Sequence, residues 1–200
     1  MSKTKANNCR NKILQVSTGL FASLGFEGVT MRQIAFNAEI TMPSIYHHFG
    51  NKEELYRAVE KEMYGTYSGS LLNELQAKAH PEEKLRNFIT NVIDSFETNP
   101  EFLKLLQRNL VEDDEKNQKF LVDLSLQNVY DELKMLLNEY SPKSGDGIEP
   151  LIIFSIVLGF FTMQPVSQML NNYEYAQIDA KQKRDLLINA VMASITKNES

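Results

Sequence analysis

T-M-R-Q-I-A-F-N-A-E-I-T-M-P-S-I-Y-H-H-F-G-N-K, Thr30 to Lys52, decides how the rest of this chain is read. Met31, Ile34, Ala35 and Ala38 recur at helical spacing behind Thr30, a residue suited to capping a helix start. Thr41 can cap a second helix of about seven residues, and Asn51 with Glu54 makes a capping-box-like start for a longer third one. A step of about 100° per residue from an inward Ile45 puts Pro43 and His47 on the far side of the short helix. Ser44, Tyr46 and His48 then lie on its flanks. Only Ile45 and Phe49 remain to dock it, so most of its surface is free. Two short helices around a tight turn, the second rich in hydrogen-bonding side chains, suit a helix-turn-helix that reads the major groove of DNA.

The bulk properties permit this. A chain of 200 residues can bury a core without metals or disulfides, in one or two domains. Its single cysteine, Cys9, cannot form an internal bridge, which fits a reducing compartment. Polar neighbours make Cys9 a surface thiol rather than a nucleophile. No charged-then-apolar leader opens the chain, so a cytoplasmic location is expected. The most apolar run, Leu151–Met163, is 13 residues long and contains Ser155, Gly159 and Thr162. A membrane span needs about 20 residues, so a buried helix and no membrane contact are expected. Net charge is −5, but residues 1–52 carry +4 and residues 53–200 carry −9. A basic head on an acidic body can hold phosphate while the body stays soluble, although ordinary scatter gives the same split.

Helical periodicity covers nearly all of the chain. Ile13, Leu14, Ser17, Leu20, Phe21 and Leu24 form one face of a first helix, ended by Gly25 and Gly28. A long fourth helix starts at Lys52 and is softened by Gly65 and Gly69, which otherwise mark a break between two helices. Pro81 and Pro100 stand at first helical positions behind His80 and Asn99. Leu85, Phe88, Ile89, Val92, Ile93 and Phe96 stripe the fifth helix; Phe102, Leu103, Leu106 and Leu110 stripe the sixth. The seventh spans roughly Asn117 to Tyr140, with Ser141–Gly147 as linker. The eighth runs from about Ile148 to Leu170 and the ninth from about Ala180 to Thr196.

The run I-T-M-P-S-I-Y-H-H-F-G-N-K-E-E-L, preceded by T-M-R-Q-I-A, resembles TetR-family transcriptional regulators. The resemblance is specific over residues 10–60; beyond them only length and helix count match. It implies an all-α protein with a three-helix DNA-binding head, residues 1–51, and a six-helix effector-binding and dimerisation body, residues 52–200. Two copies would read a near-palindromic operator. The resemblance makes Met42, Ser44 and His47 base-facing, with Pro43 on the same exposed side. Tyr46, His48 and Lys52 match phosphate-holding positions, Thr30 and Thr41 match caps that also touch phosphate, and Arg32 reaches a base or phosphate. Lys3, Lys5 and Arg10 would add contacts from a flexible arm. Plainer readings stand beside these: Tyr46 as a core-rim residue, His48 as a helix C-terminal cation, Lys52 as a solvated lysine.

Two positions depart from the pattern. Glu39 occupies the turn where the family usually has glycine, which strains the backbone if φ is positive there and sets a negative charge near DNA. Met42 stands where a polar or basic residue is common, and suits a thymine methyl better than a guanine edge.

In the body, Phe88, Phe96, Phe102, Phe161 and Gln164 are candidate effector-lining residues, with a plain core as the simpler account of each phenylalanine. Pro165 should bend the eighth helix beside Gln164. Leu187, Val191, Ser194 and Ile195 give the ninth helix an apolar face: it and the eighth could form a four-helix seam in a homodimer, whereas a monomer would bury this face against its own body. No nucleophile–base pair, phosphate-cradling glycine loop or metal-ligand spacing stands out, so no catalytic residue, metal or cofactor is expected. The expected function is a repressor released by a small apolar effector. A regulator controlled by a protein partner and a helical enzyme are the alternatives.

Overall fold

Among the residues that this computed structural model describes (3–112, 114–142, 147–167, 169 and 178–196), every regular element is helical, as the periodicities require. The order is α1 (Lys3–Leu24), α2 (Met31–Asn37), α3 (Met42–Phe49), α4 (Lys52–Leu75), α5 (Pro81–Thr98), α6 (Pro100–Val111) and α7 (Glu115–Leu121). A π-helical turn, Val122–Leu126, joins α7 to α8 (Gln127–Tyr140); α9 (Glu149–Ser167) and α10 (Ala180–Thr196) follow. The side chains of Lys3 and Lys5, the middle of the expected linker and the last residues of the helix expected to reach Leu170 lie outside the described residues. The backbone falls into two compact units, Met1–Tyr67 with Asn99–Ser125, and Ser68–Thr98 with Leu126–Ser200.

In the first unit α1 packs on α2 and α6, α2 on α3, and α6 on α7. Ile13, Leu14, Ser17 and Phe21 are buried as their spacing predicts, but Leu24 is exposed because α1 ends there and Gly25 turns away at φ 73°. Met31, Ile34, Ala35 and Ala38 all face inward from α2. The expected α6 stripe is shifted: Phe102, Leu105 and Asn109 point into the core, while Leu110 is exposed. A leucine-rich helix offers two competing apolar faces, and a buried polar partner set selects the one carrying Asn109. The arm expected to be flexible is helical from Lys3, so Arg10 sits within α1.

In the second unit α5 packs on α8, α9 and α10, and its predicted stripe from Leu85 to Phe96 is buried throughout. The seventh predicted helix is found as α7 and α8 with the π turn between them, a feature that apolar spacing cannot register. Two expectations need correction. The helix read as buried is long and apolar enough to cross a membrane by length and composition, yet only 22% of its most apolar window is buried. Ile153, Val157 and Phe161 face the unit's core, and Leu151, Met163 and Val166 face out. On α10 the opposite holds: Leu187, Val191 and Ile195, read as a face for a second copy, are buried within their own chain, where α10 packs on α5 and α9.

Candidate nucleic-acid interface

The helix-turn-helix is built on reciprocal caps. The Thr30 hydroxyl accepts from Gln33 N–H at 3.2 Å while Thr30 N–H donates to Gln33 Oε1 at 2.8 Å, a complete capping box at the start of α2. Asn51 caps α4 with its side chain on both sides of the exchange: Glu54 N–H donates to Asn51 Oδ1, and Asn51 Nδ2 donates to Glu54 Oε1, both at 2.8 Å. Thr41 holds the N-cap position of α3, but its side chain makes no capping hydrogen bond. Pro43 sits in the first turn, where its missing N–H costs nothing.

Helix α3 is anchored through Ile45 and Phe49, both buried. Arg32, Thr41, Pro43, Tyr46 and His47 are exposed; Met42, Ser44 and His48 are half-buried along its edges. Thr30 is exposed too, with its hydroxyl in the α2 capping box. Lys52 is half-buried, and its ammonium donates to the Phe26 carbonyl at 3.0 Å and lies 4.1 Å from the Phe26 ring centre. It therefore ties the start of α4 to the turn after α1, a role its sequence position does not announce. Among the described residues no group of three His, Cys, Asp or Glu side chains could hold a metal ion.

Three contacts from α1 brace α3 and the turn before it, none evident from the sequence. The Arg10 guanidinium lies 5.3 Å from the Phe49 ring centre. The Cys9 thiol lies 3.7 Å from the Ser44 hydroxyl. Lys12 Nζ donates to Glu39 Oε2 at 2.9 Å. That hydrogen bond, with the lysine's charge, holds the Glu39 carboxyl below its ordinary value, so the turn's negative charge is paired rather than bare. Glu39 does have positive φ, 52°, as a glycine position would.

Behind the head, α4 is fastened to α6 and α7 by a buried polar network. Glu60 accepts from Arg57 at 2.7 Å and from Asn109 Nδ2 at 2.6 Å; the same amide nitrogen is 2.6 Å from the Tyr64 hydroxyl. Tyr56 donates to Asn109 Oδ1 at 3.0 Å, and Arg57 also bonds Asn117 and lies against the Phe120 ring. Burial pushes the Glu60 carboxyl up, against the pull of Arg57 and Asn109. Sequence reading missed Asn109 because a single amide in a leucine-rich helix reads as surface.

Of the body residues expected to line an effector site, Phe88 and Phe96 are core side chains of the second unit. Phe161 and Gln164 meet there at a cavity of about 130 Å³, with Ile93, Phe160 and Leu187 and the charged Glu97, Lys183 and Arg184. Phe102 belongs to the first unit and stacks on Tyr67 at 3.8 Å between ring centres.

The sequence pattern of bacterial regulatory proteins of the tetR family matches residues 13–59, the segment that holds these caps and α3. The transcriptional repressor NicS of Pseudomonas putida is 31% identical over 107 residues, 51% of this chain and 48% of its own length. The chain spans about a third to a half of the length of curated relatives that it matches, NicS among them, and these are named as transcriptional regulators or repressors. Two solved structures share the fold over nearly the whole chain. PfmR of Thermus thermophilus has a TM-score of 0.72 at 17% identity, covering 96% of this chain and 97% of its own. FadR of Bacillus subtilis, in complex with stearoyl-CoA, has a TM-score of 0.73 at 19% identity, covering 94% and 98%. The capped helix-turn-helix thus lies inside a segment that carries the pattern of the tetR family of bacterial regulatory proteins, and the all-helical fold of the chain is the one found in a TetR-family regulator of Thermus thermophilus.

Proposed function

We propose that this protein is a dimeric, sequence-specific DNA-binding regulator of the cytoplasm, a repressor that a small apolar effector releases from its operator. Residues 1–51 hold DNA, and residues 52–200 bind the effector and the second copy. The observation that carries the reading is that only Ile45 and Phe49 of α3 are buried, which leaves Pro43 and His47 exposed and Met42 and Ser44 half-exposed along the side proposed to meet the major groove. Thr30, Arg32, Thr41, Tyr46, His48 and Lys52 surround that edge as backbone contacts that fix register.

Two copies are needed because one short recognition helix is too little for specific affinity. The outward face of α9 suits that partner: Leu151, Ser155, Gly159, Met163 and Val166 are exposed at helical spacing, with Leu186, Ala190 and Ala193 exposed on α10. The small residues permit close approach of paired helices. The apolar effector rests on the aromatic wall of Phe160 and Phe161 beside Gln164, in a cavity that Glu97, Lys183 and Arg184 also line, and on FadR, a fold relative solved with stearoyl-CoA. At about 130 Å³ that cavity is smaller than an ordinary ligand site of roughly 300 Å³ or more, so the effector would have to widen it.

Selection from a random duplex pool tests the reading. Near-palindromic duplexes with half-sites about 34–36 Å apart should be enriched, and their retention should fall steeply with added salt. No enrichment at low ionic strength overturns the proposal.

A further inference from the structure

A cleft of about 480 Å³ opens in the first unit, apart from the groove-facing side of α3 and from the body cavity at Gln164. Its walls are Asn11, Leu14, Gln15, Thr18 and Gly19 of α1 and Val59, Glu62 and Met63 of α4, closed at one end by Asn99 and Glu101 where α6 begins. Its size falls within the roughly 300–1,000 Å³ of small-molecule sites. Leu14 and Val59 are buried and Met63 is half-buried, which gives it an apolar floor. Its charged groups are the exposed carboxylates of Glu62 and Glu101, and no basic side chain lines it. Neither carboxylate belongs to an ion pair found among the described residues, whereas Glu39, Glu53 and Glu60 of the same unit each have a cation. Glu101 also lies close enough to Tyr67, stacked on Phe102, to act with burial in raising the phenol's pKa, so an aromatic pair stands beside this carboxylate.

From this arrangement we infer that the α1–α4–α6 cleft is a second ligand site, for an amphipathic organic cation: an ammonium head between Glu62 and Glu101 and an apolar tail on Leu14, Val59 and Met63. An anion would meet two like charges, and a wholly apolar molecule would leave both carboxylates unused. The Asn11 and Gln15 side chains at the rim can orient a polar substituent. Occupancy bears on the head directly, because α1 is the helix that braces α3 through Cys9 and Arg10 and the turn through Lys12.

The test is calorimetric titration of the full chain, without DNA, using n-octylammonium, n-octanoate and n-octanol below their aggregation limits. The cation should bind at least about tenfold more tightly than either control, the fold-change expected from one charge-assisted contact. Glu62→Gln with Glu101→Gln should remove that preference. Gly19→Leu provides a second route, since a Cβ at Gly19 meets no atom within 4 Å and the larger side chain grows into open space. This variant should lose binding while its thermal unfolding stays cooperative. Equal binding of cation and octanoate, or unchanged cation binding in the double glutamine variant, overturns the inference. Because no operator enters the experiment, its failure leaves the DNA-binding reading untouched.

Discussion

Replacing Asn109 by alanine should cost more stability than any other single polar substitution in the first unit. Asn109 is 1% exposed, and its side chain meets three buried groups: the Glu60 carboxylate, the Tyr64 hydroxyl and the Tyr56 hydroxyl. Deleting the amide leaves each with one partner fewer. A buried polar group so orphaned costs about 1–3 kcal/mol, and Glu60 keeps Arg57, so about 3–6 kcal/mol is expected in all. That is a large share of the roughly 5–15 kcal/mol by which domains are stable. Urea unfolding followed by circular dichroism and by tyrosine fluorescence, undisturbed by tryptophan in this Trp-free chain, gives the loss. Tyr64→Phe, a milder deletion, should couple to Asn109→Ala by about 0.5 kcal/mol or more in a double-mutant cycle. The loss should also depend on pH. Burial raises the folded-state pKa of Glu60 above 4.5, so its proton uptake favours folding below that pH, and the contribution is lost as pH rises through the raised value. Asn109 pulls that value down, so removing it extends the loss and makes the variant's deficit larger at pH 7 than at pH 5. A deficit under about 1 kcal/mol, or one that grows on acidification, would refute the network as described.

Other substitutions separate reading from bracing. Lys52→Ala should weaken all duplexes similarly and flatten the salt dependence, as loss of a phosphate contact does, and should also lower the melting temperature because the Phe26 carbonyl loses its donor. His47→Ala should relax sequence choice instead, seen as a narrowed gap between cognate and scrambled duplexes; a Lys52→Ala effect confined to one sequence would reverse these assignments. Glu39→Gly should raise the melting temperature by freeing a strained φ of 52°, and should steepen the salt dependence by releasing Lys12 toward DNA; an unchanged salt slope counts against that account. Gly65→Ala with Gly69→Ala should stabilise α4 by about 0.5–1 kcal/mol per site, since an added Cβ meets nothing within 4 Å at either, and should alter effector response more than operator affinity. Leu151→Glu with Met163→Glu should convert dimers to monomers in analytical ultracentrifugation without loss of helix content, because both side chains already face outward.

Much of the framework was legible because it rests on local chemistry. A cap, a period of 3.6 and a proline at a first helical position act within a few residues, so Thr30, Asn51, Pro81 and Pro100 marked helix starts without reference to anything distant. What stayed hidden depends on pairs far apart in the chain. Asn109 meets Glu60 across 49 residues and Arg108 reaches the Ala22 carbonyl across 86; neither residue type carries a local sign of its partner. The faces of α9 and α10 were misjudged for a related reason. Both helices carry more apolar surface than one partner can cover, and only the packing of α5 decides which part is core.

Glu39 shows how a local rule and a distant contact combine. Read alone, a glutamate at a glycine-favouring turn beside DNA is unfavourable twice, in backbone and in charge. The backbone half is present in the structure as a positive φ. The charge half is offset from 27 residues away, by Lys12 on the helix that also meets Ser44 and Phe49 through Cys9 and Arg10. The turn and the reading helix are thus held from one side by consecutive stretches of α1. A change in the tilt of α1 would reach both together, so under the proposed function a substitution at Lys12 or Glu39 should alter which sequence is chosen more than whether duplex DNA is bound.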